Sequence, residues 1–285
     1  MAGGEARGGP AAGGDGAPGG RGEATGAPGR RGESAGGALD AGDEVRRTVL
    51  VAGASRGIGA AIALAFADAG PVRLVLAGRT ERDLQSVAEA ARERGAEAEV
   101  GVADLTDTAQ ARELARRAGS IDVLVVNAGV NQPEPFLDVT EETFDRLFAL
   151  NVRAGFFLAQ AAAPAMPRGG CIVFISSQMG HVGAVERAVY CATKHALEGL
   201  TKALALELAP RGVRAVTVGP TFVHTALTAH QLDDPEIGPR LRAQIPLDRY
   251  ATPEEVAGAV VWIASPQAAM VTGSALLVDG GWTAR

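Results

Sequence analysis

A short apolar run at residues 48–52 leads straight into Gly53-Ala54-Ser55-Arg56-Gly57-Ile58-Gly59, and from there into an Ala-rich helical pattern at 58–69. No other feature narrows the possible folds so far. A strand that turns on glycines into a helix leaves the helix N-terminal N–H groups open, and glycine lets the backbone close up on an anion there. The pattern then repeats. Strand-like runs at 73–77, 98–102, 123–127, 171–175, 214–218 and 275–278 alternate with helical stretches at 81–94, 107–118, 140–166, 189–208 and 253–264. The runs read as continuously apolar, as in parallel strands covered on both faces. Such alternation predicts right-handed crossovers and an α/β fold with a doubly wound parallel sheet between two helix layers. Ligands of these sheets sit beyond the carboxyl ends of the strands, where every motif below falls. Thr252-Pro253-Glu254-Glu255 predicts a capping box at the start of the last helix.

Composition limits the function classes. The chain has 285 residues, 47% of them hydrophobic, and a net charge of −6. That suits one soluble α/β domain with a sizeable core and gives no electrostatic reason to expect a nucleic-acid partner. Every apolar run is broken by charges or glycines, so no membrane span and no secretory leader are expected. The two cysteines, Cys171 and Cys191, match neither a zinc site nor a disulfide framework, which points to a reducing, cytoplasmic setting without a metal. Residues 1–44 are almost all Gly, Ala, Pro, Arg and Glu, and cannot bury enough apolar surface to offset their ordering entropy. They read as a disordered tail, with the folded domain at 45–285.

The glycine turn at Gly53, Ser55, Arg56, Gly57, Ile58 and Gly59 fits a dinucleotide pyrophosphate. The second strand ends at Gly78-Arg79, where a carboxylate would accept ribose hydroxyls and repel a 2′-phosphate. Gly78 stands in that acid's place. With Arg79 and Arg56 as the available cations, the pattern favours NADP over NAD. Asp104-Leu105 after the third strand can accept from the adenine amine. Asn127-Ala128-Gly129 ends the fourth strand, and its small residues let the backbone pass close to the ribose.

Tyr190 and Lys194 share one helix face by their spacing. An ammonium about 4 Å from a phenol, at an effective dielectric near 20, is worth roughly 4 kcal/mol. That is about three pKa units, enough to bring a tyrosine towards neutrality and into acid/base work. Ser177 ends the fifth strand, and the loop that follows it carries Gly180 and Gly183, so its hydroxyl can face Tyr190 across a pocket.

Together these motifs resemble the short-chain dehydrogenase/reductase family in its shorter, single-domain branch. The resemblance runs from about Thr48 to Trp282. It rests on the glycine turn at 53–59, Asn127-Ala128-Gly129, Asn151 in Leu150-Asn151-Val152, Ser177, and Tyr190 with Lys194. It implies a Rossmann-like domain in which Ser177 hydrogen-bonds the substrate carbonyl and Tyr190 passes the proton. Lys194 would lower the Tyr and hold the nicotinamide ribose, and Asn151 would anchor a proton-relaying water. Pro220, Val223 and Thr225 match positions that hold the nicotinamide end and the phosphates in relatives. Three departures stand out: Ala52 for the usual Thr, Val126 for the usual Asn, and Thr221 for the usual Gly after Pro220. None removes a catalytic group.

The resemblance implies an NADP-dependent oxidoreductase that interconverts a carbonyl and a secondary alcohol on a small-molecule substrate. Gln178, His181, His224 and Asn131 lean towards a sugar, polyol or hydroxy acid. A 3-oxoacyl thioester of an acyl-carrier protein stays open, and a non-catalytic dinucleotide sensor or scaffold is the alternative of another class. The segment 224–246 reads as a mobile lid. Stretches 140–166 and 189–208 carry more Ala and Leu than one sheet face needs, and relatives use these helices to assemble, so a homotetramer is expected.

Overall fold

The computed structural model describes residues 46–284. The predicted tail, residues 1–44, lies outside the described residues. Seven strands form one all-parallel sheet: β1 Arg47–Ala52, β2 Val72–Gly78, β3 Glu97–Val102, β4 Val123–Val126, β5 Cys171–Ile175, β6 Arg214–Pro220 and β7 Ala275–Val278. Their order is β3-β2-β1-β4-β5-β6-β7. Among the described residues the sheet starts at β1, builds outwards to β3, then crosses back to β4 on the other side of β1. That reversal opens a crevice beyond the carboxyl ends of β1 and β4.

The predicted helices are α1 Gly57–Asp68, α2 Glu81–Arg92, α3 Thr108–Ala118, α6 Ala188–Leu208 and α9 Pro253–Ile263, with α4 Glu141–Phe148 and α5 Ala154–Ala162 between α3 and α6. One sheet face packs under α1, α2 and α9 through Ile62, Phe66, Leu84, Val87, Val256 and Val260. The other packs under α3, α5 and α6 through Leu114, Leu158 and Leu197. Local chemistry starts several of these helices. The Asp107 carboxylate accepts from Ala109 N and Gln110 N, and Thr140 Oγ1 accepts from Thr143 N. Thr252 and Glu255 form the predicted capping box.

Three details depart from the sequence reading. The stretch 140–166 is not one helix: a π-helical segment, Ala149–Arg153, separates α4 from α5 and carries Asn151. β3, at the edge of the sheet, alternates, with Ala98 packed into the core on one face and Glu97 and Glu99 exposed on the other. Arg46 and Arg73 pair with those two glutamates, and such charges keep an edge from pairing with another chain. The segment 224–246 contains two short helices, α7 Ala229–Leu232 and α8 Ile237–Arg242. Among the described residues no helix is long and apolar enough to cross a membrane.

Candidate active site

The crevice is built from strand ends. Gly53 has a φ of +86° and Gly57 of +55°, conformations that side-chain-bearing residues rarely adopt. A Cβ on Gly59 would stand 2.0 Å from Gly53 O and 2.6 Å from Asn127 Nδ2. Asn127 itself donates from Nδ2 to Gly53 O at 2.8 Å, so the end of β4 clamps the turn that follows β1. No side chain caps the N-terminus of α1 and no acid sits in its first turn, which leaves its N–H groups open to an anion. Thr225 reaches over the turn, its Cγ2 3.5 Å from where a Gly57 Cβ would lie. These residues fit a dinucleotide pyrophosphate.

Around the adenosine end, Arg56 and Arg79 are exposed and make no ion pair among the described residues. Asp104 Oδ1 accepts from Thr106 N at 3.0 Å and Thr106 Oγ1 at 2.7 Å. Those bonds, with Arg79 nearby, hold its carboxyl below the usual range. Leu105 is buried behind it. Ala128 N donates to Ala52 O at 2.9 Å, which draws the ends of β1 and β4 together. Val126 fills the space over Gly155, where a Cβ would lie 2.9 Å from Val126 Cγ1. An apolar side chain at this departure position thus seals α5 against the sheet.

The catalytic candidates meet at the end of β5. Ser177 follows the strand, and its Oγ accepts from Met179 N at 3.1 Å and donates to Gln178 Oε1 at 3.3 Å. Tyr190 and Lys194 stand one turn apart on α6. Lys194 Nζ donates to the Ile175 carbonyl at 2.8 Å and lies 5.5 Å from the Tyr190 ring centroid. A Cβ on Gly129 would lie 3.7 Å from Lys194 Nζ and 3.3 Å from Asn151 Oδ1, which brings the β4 motif to the same place. Asn151, 2% exposed, accepts from Val130 N at 2.8 Å and donates from Nδ2 to Val130 O at 2.9 Å and Thr193 Oγ1 at 3.1 Å. It ties the loop after β4 to α6.

The electrostatics reverse the sequence expectation for Tyr190. Burial pushes its phenol up to about 12; the Ser177 hydroxyl opposes the rise, and Lys194 contributes no resolved part of it. Desolvation of the phenolate is the largest cause. Lys194 is itself pulled down to about 8 by burial, with Glu198 opposing.

Two residues escaped the sequence reading. Glu198 is a buried carboxylate one turn beyond Lys194. Its Oε2 accepts from Thr217 Oγ1 at 2.9 Å and its Oε1 lies 3.4 Å from His181 Nε2. Arg187 ends the loop ahead of α6 with its Nε buried and unpartnered. Both lie on the extension of the Tyr–Lys face, a periodicity that was available in the sequence.

The remaining candidates spread out. Gln178 is buried against Ser177, whereas His224 turns to Asp233 with Nε2 2.9 Å from Oδ1. Val223 bridges Ala251, and Pro220 ends β6. Asn131 is exposed, in the loop after Gly129. A cavity of about 490 Å³ lined by Thr221, Pro246, Leu277 and Gly281 lies past β6 and β7 and contains none of the catalytic candidates. Among the described residues no group of His, Cys, Asp or Glu could hold a metal ion.

The chain is similar to proteins already known. The family model described as enoyl-(acyl carrier protein) reductase matches residues 53–283. L-xylulose reductase of Homo sapiens is 39% identical over 241 residues, covering 84% of this chain and 97% of its own. The 3-oxoacyl-[acyl-carrier-protein] reductase FabG of Rickettsia conorii is 36% identical over 241 residues, covering 84% and 98%. A solved structure of a blue fluorescent protein from a metagenomic library, in complex with NADPH, superposes with a TM-score of 0.78 at 35% identity, covering 83% and 97%. With the glycine cradle at β1 and Ser177, Tyr190 and Lys194 gathered at the end of β5, the chain belongs to the short-chain dehydrogenase/reductase family, the NAD(P)-dependent oxidoreductases that act on CH–OH and carbonyl groups.

Proposed function

We propose that this protein is a cytoplasmic NADPH-dependent carbonyl reductase, reversible as a secondary-alcohol dehydrogenase, acting on a sugar, polyol or hydroxy-acid-like substrate. The convergence of Ser177, Tyr190 and Lys194 beside the glycine cradle carries this reading. The preference for NADP rests on Gly78 in the acid's place, the two exposed arginines, and the NADPH held by a structural relative. The substrate class rests on the L-xylulose and D-erythrulose reductases among its relatives. The thioester reading keeps its footing in the Rickettsia conorii relative. Two unpaired thiols, Cys171 and Cys191, suit a reducing compartment.

Gly53, Gly57, Gly59 and the open N-terminus of α1 would hold the pyrophosphate, Arg56 and Arg79 the 2′-phosphate, and Lys194 the nicotinamide ribose. The bound dinucleotide supplies the hydride for the carbonyl carbon. Ser177 donates a hydrogen bond to the carbonyl oxygen, which orients it and stabilises the charge that develops there. Tyr190 donates its phenolic proton to that same oxygen. A phenol with a high pKa holds its proton until the oxygen becomes a strong base. The phenolate left behind is then stabilised by Lys194 while its ammonium persists. Asn151 holds the loop after β4 against α6 and so fixes one wall of the site.

Phe144 on α4, Phe156 on α5 and Leu206 on α6 are exposed. These apolar faces support a homotetramer, which light scattering after size exclusion tests directly. The activity is tested by mixing the protein with NADPH or NADH and a panel of sugars, diketones, keto acids and acyl thioesters while following nicotinamide absorbance. Turnover of a ketose or hydroxyketone with NADPH is expected; a preference for the acyl thioester selects the second reading, and no turnover across the panel overturns both.

A further inference from the structure

We propose that Arg187 reads an anionic group on the substrate, so that the natural carbonyl compound carries a carboxylate or a phosphate ester. The inference rests on the carbonyl-reductase reading and narrows its substrate.

Arg187 stands one helical turn ahead of Tyr190, at the point where the loop after Ser177 enters α6. The loop is pinned there. Glu186 adopts a φ of +58°, a conformation few non-glycine residues hold. Its carbonyl accepts two hydrogen bonds, from Glu134 N at 3.0 Å and from Arg187 Nη1 at 3.2 Å. Glu134 belongs to the loop after β4, so the guanidinium sits where that loop meets the loop after Ser177.

Most of that guanidinium's capacity is unspent. Nη1 meets a backbone carbonyl, Nε is buried with no partner, and no carboxylate lies within ion-pair distance among the described residues. Glu186 on the same loop is exposed, and Glu134 on the loop after β4 has a buried Oε2 with no partner among the described residues. Neither pairs with Arg187. An arginine stays charged even when burial disfavours it, and a buried donor left unmade is costly. Arg187 precedes Tyr190 by three residues at the start of α6, and its positive charge acts on the Tyr190 phenol against the rise caused by burial. Its planar fork matches a carboxylate or a phosphate, and a neutral polyol offers it no matching charge.

The test uses matched substrates: a keto acid against its amide, and a ketose phosphate against the free ketose, each with NADPH. The wild type is expected to favour at least one anionic member by about 10-fold or more in kcat/KM, the scale of a charge-assisted hydrogen bond. Arg187→Gln should collapse that ratio towards unity and Arg187→Lys should restore part of it. Because a ratio is read, a general loss of activity in the variant does not mimic the result. Which pair shows the preference identifies carboxylate or phosphate. Equal turnover within both pairs by the wild type, or a ratio unchanged in Arg187→Gln, overturns the inference. If no carbonyl compound is turned over at all, the reductase reading fails, and the inference is decided by calorimetry on the same pairs with NADPH-loaded wild type and Arg187→Gln. Binding that does not distinguish anion from neutral partner then overturns it.

Discussion

The Lys194 ammonium donates to the carbonyl of Ile175 at 2.8 Å and passes 5.5 Å from the centre of the Tyr190 ring. It is anchored to the end of β5. Burial pushes the Tyr190 phenol up, so the tyrosine rests protonated. The effect of the ammonium is felt once a proton has left Tyr190, when a buried phenolate needs a nearby positive charge. That order of events suits reduction, in which Tyr190 begins as the acid.

Replacing Tyr190 by Phe removes the proton donor and little volume. Turnover is expected to fall by about 100-fold or more, the range of general acid catalysis. NADPH affinity, measured by fluorescence titration, should change only slightly. Retained turnover would remove Tyr190 from its role.

The Lys194 pKa, lowered to about 8, gives the pH dependence a sign. Below about 8 the ammonium is present, and above it the amine is neutral. Carbonyl reduction is expected to weaken as pH rises through that value, because the forming phenolate loses its cation. A pH profile of kcat/KM with saturating NADPH checks this, and a flat profile from neutrality into the alkaline range would contradict it.

Glu198 opposes the lowering of Lys194 from one turn away. Glu198→Gln keeps the Thr217 contact sterically possible and removes the charge. The alkaline fall in activity should then begin at lower pH, with a severalfold loss at neutrality. A merely structural role would lower activity without moving the profile. Burying an uncompensated ammonium is costly, so the variant should also unfold at a lower temperature.

Arg79→Asp places a carboxylate beside the expected 2′-phosphate. A lost charge-assisted hydrogen bond, worth about 1.5–3 kcal/mol, predicts roughly a 10- to 100-fold rise in KM for NADPH. KM for NADH should fall or hold. Parallel initial-rate measurements with the two cofactors decide it.

Gly59→Ala drives a methyl group to 2.0 Å from the Gly53 carbonyl, a backbone atom with no rotamer to yield. Overpacking of this kind costs about 1–3 kcal/mol. Melting curves should show a lower Tm and a smaller rise on adding NADPH than the wild type gives.

Much of this protein is written locally. Gly53, Gly57 and Gly59 between an apolar run and an Ala-rich helix are enough to place the dinucleotide turn, since backbone conformation there depends on the residues themselves. The helical period likewise puts Tyr190 and Lys194 on one face, and Thr252 with Glu255 marks where α9 starts. The helix break at Asn151 was not legible, because the polar groups that hold the π-helical segment come from Val130 and Thr193, distant in sequence. The direction of the Tyr190 shift was not legible either. The sequence supplies the spacing of phenol and ammonium, but only the packed sheet decides how much water the phenol loses and that Ile175 claims the cation. Glu198 under His181 and the unspent guanidinium of Arg187 are known for the same reason: burial and long-range partners are properties of the assembled fold, and they decide what a charge is worth.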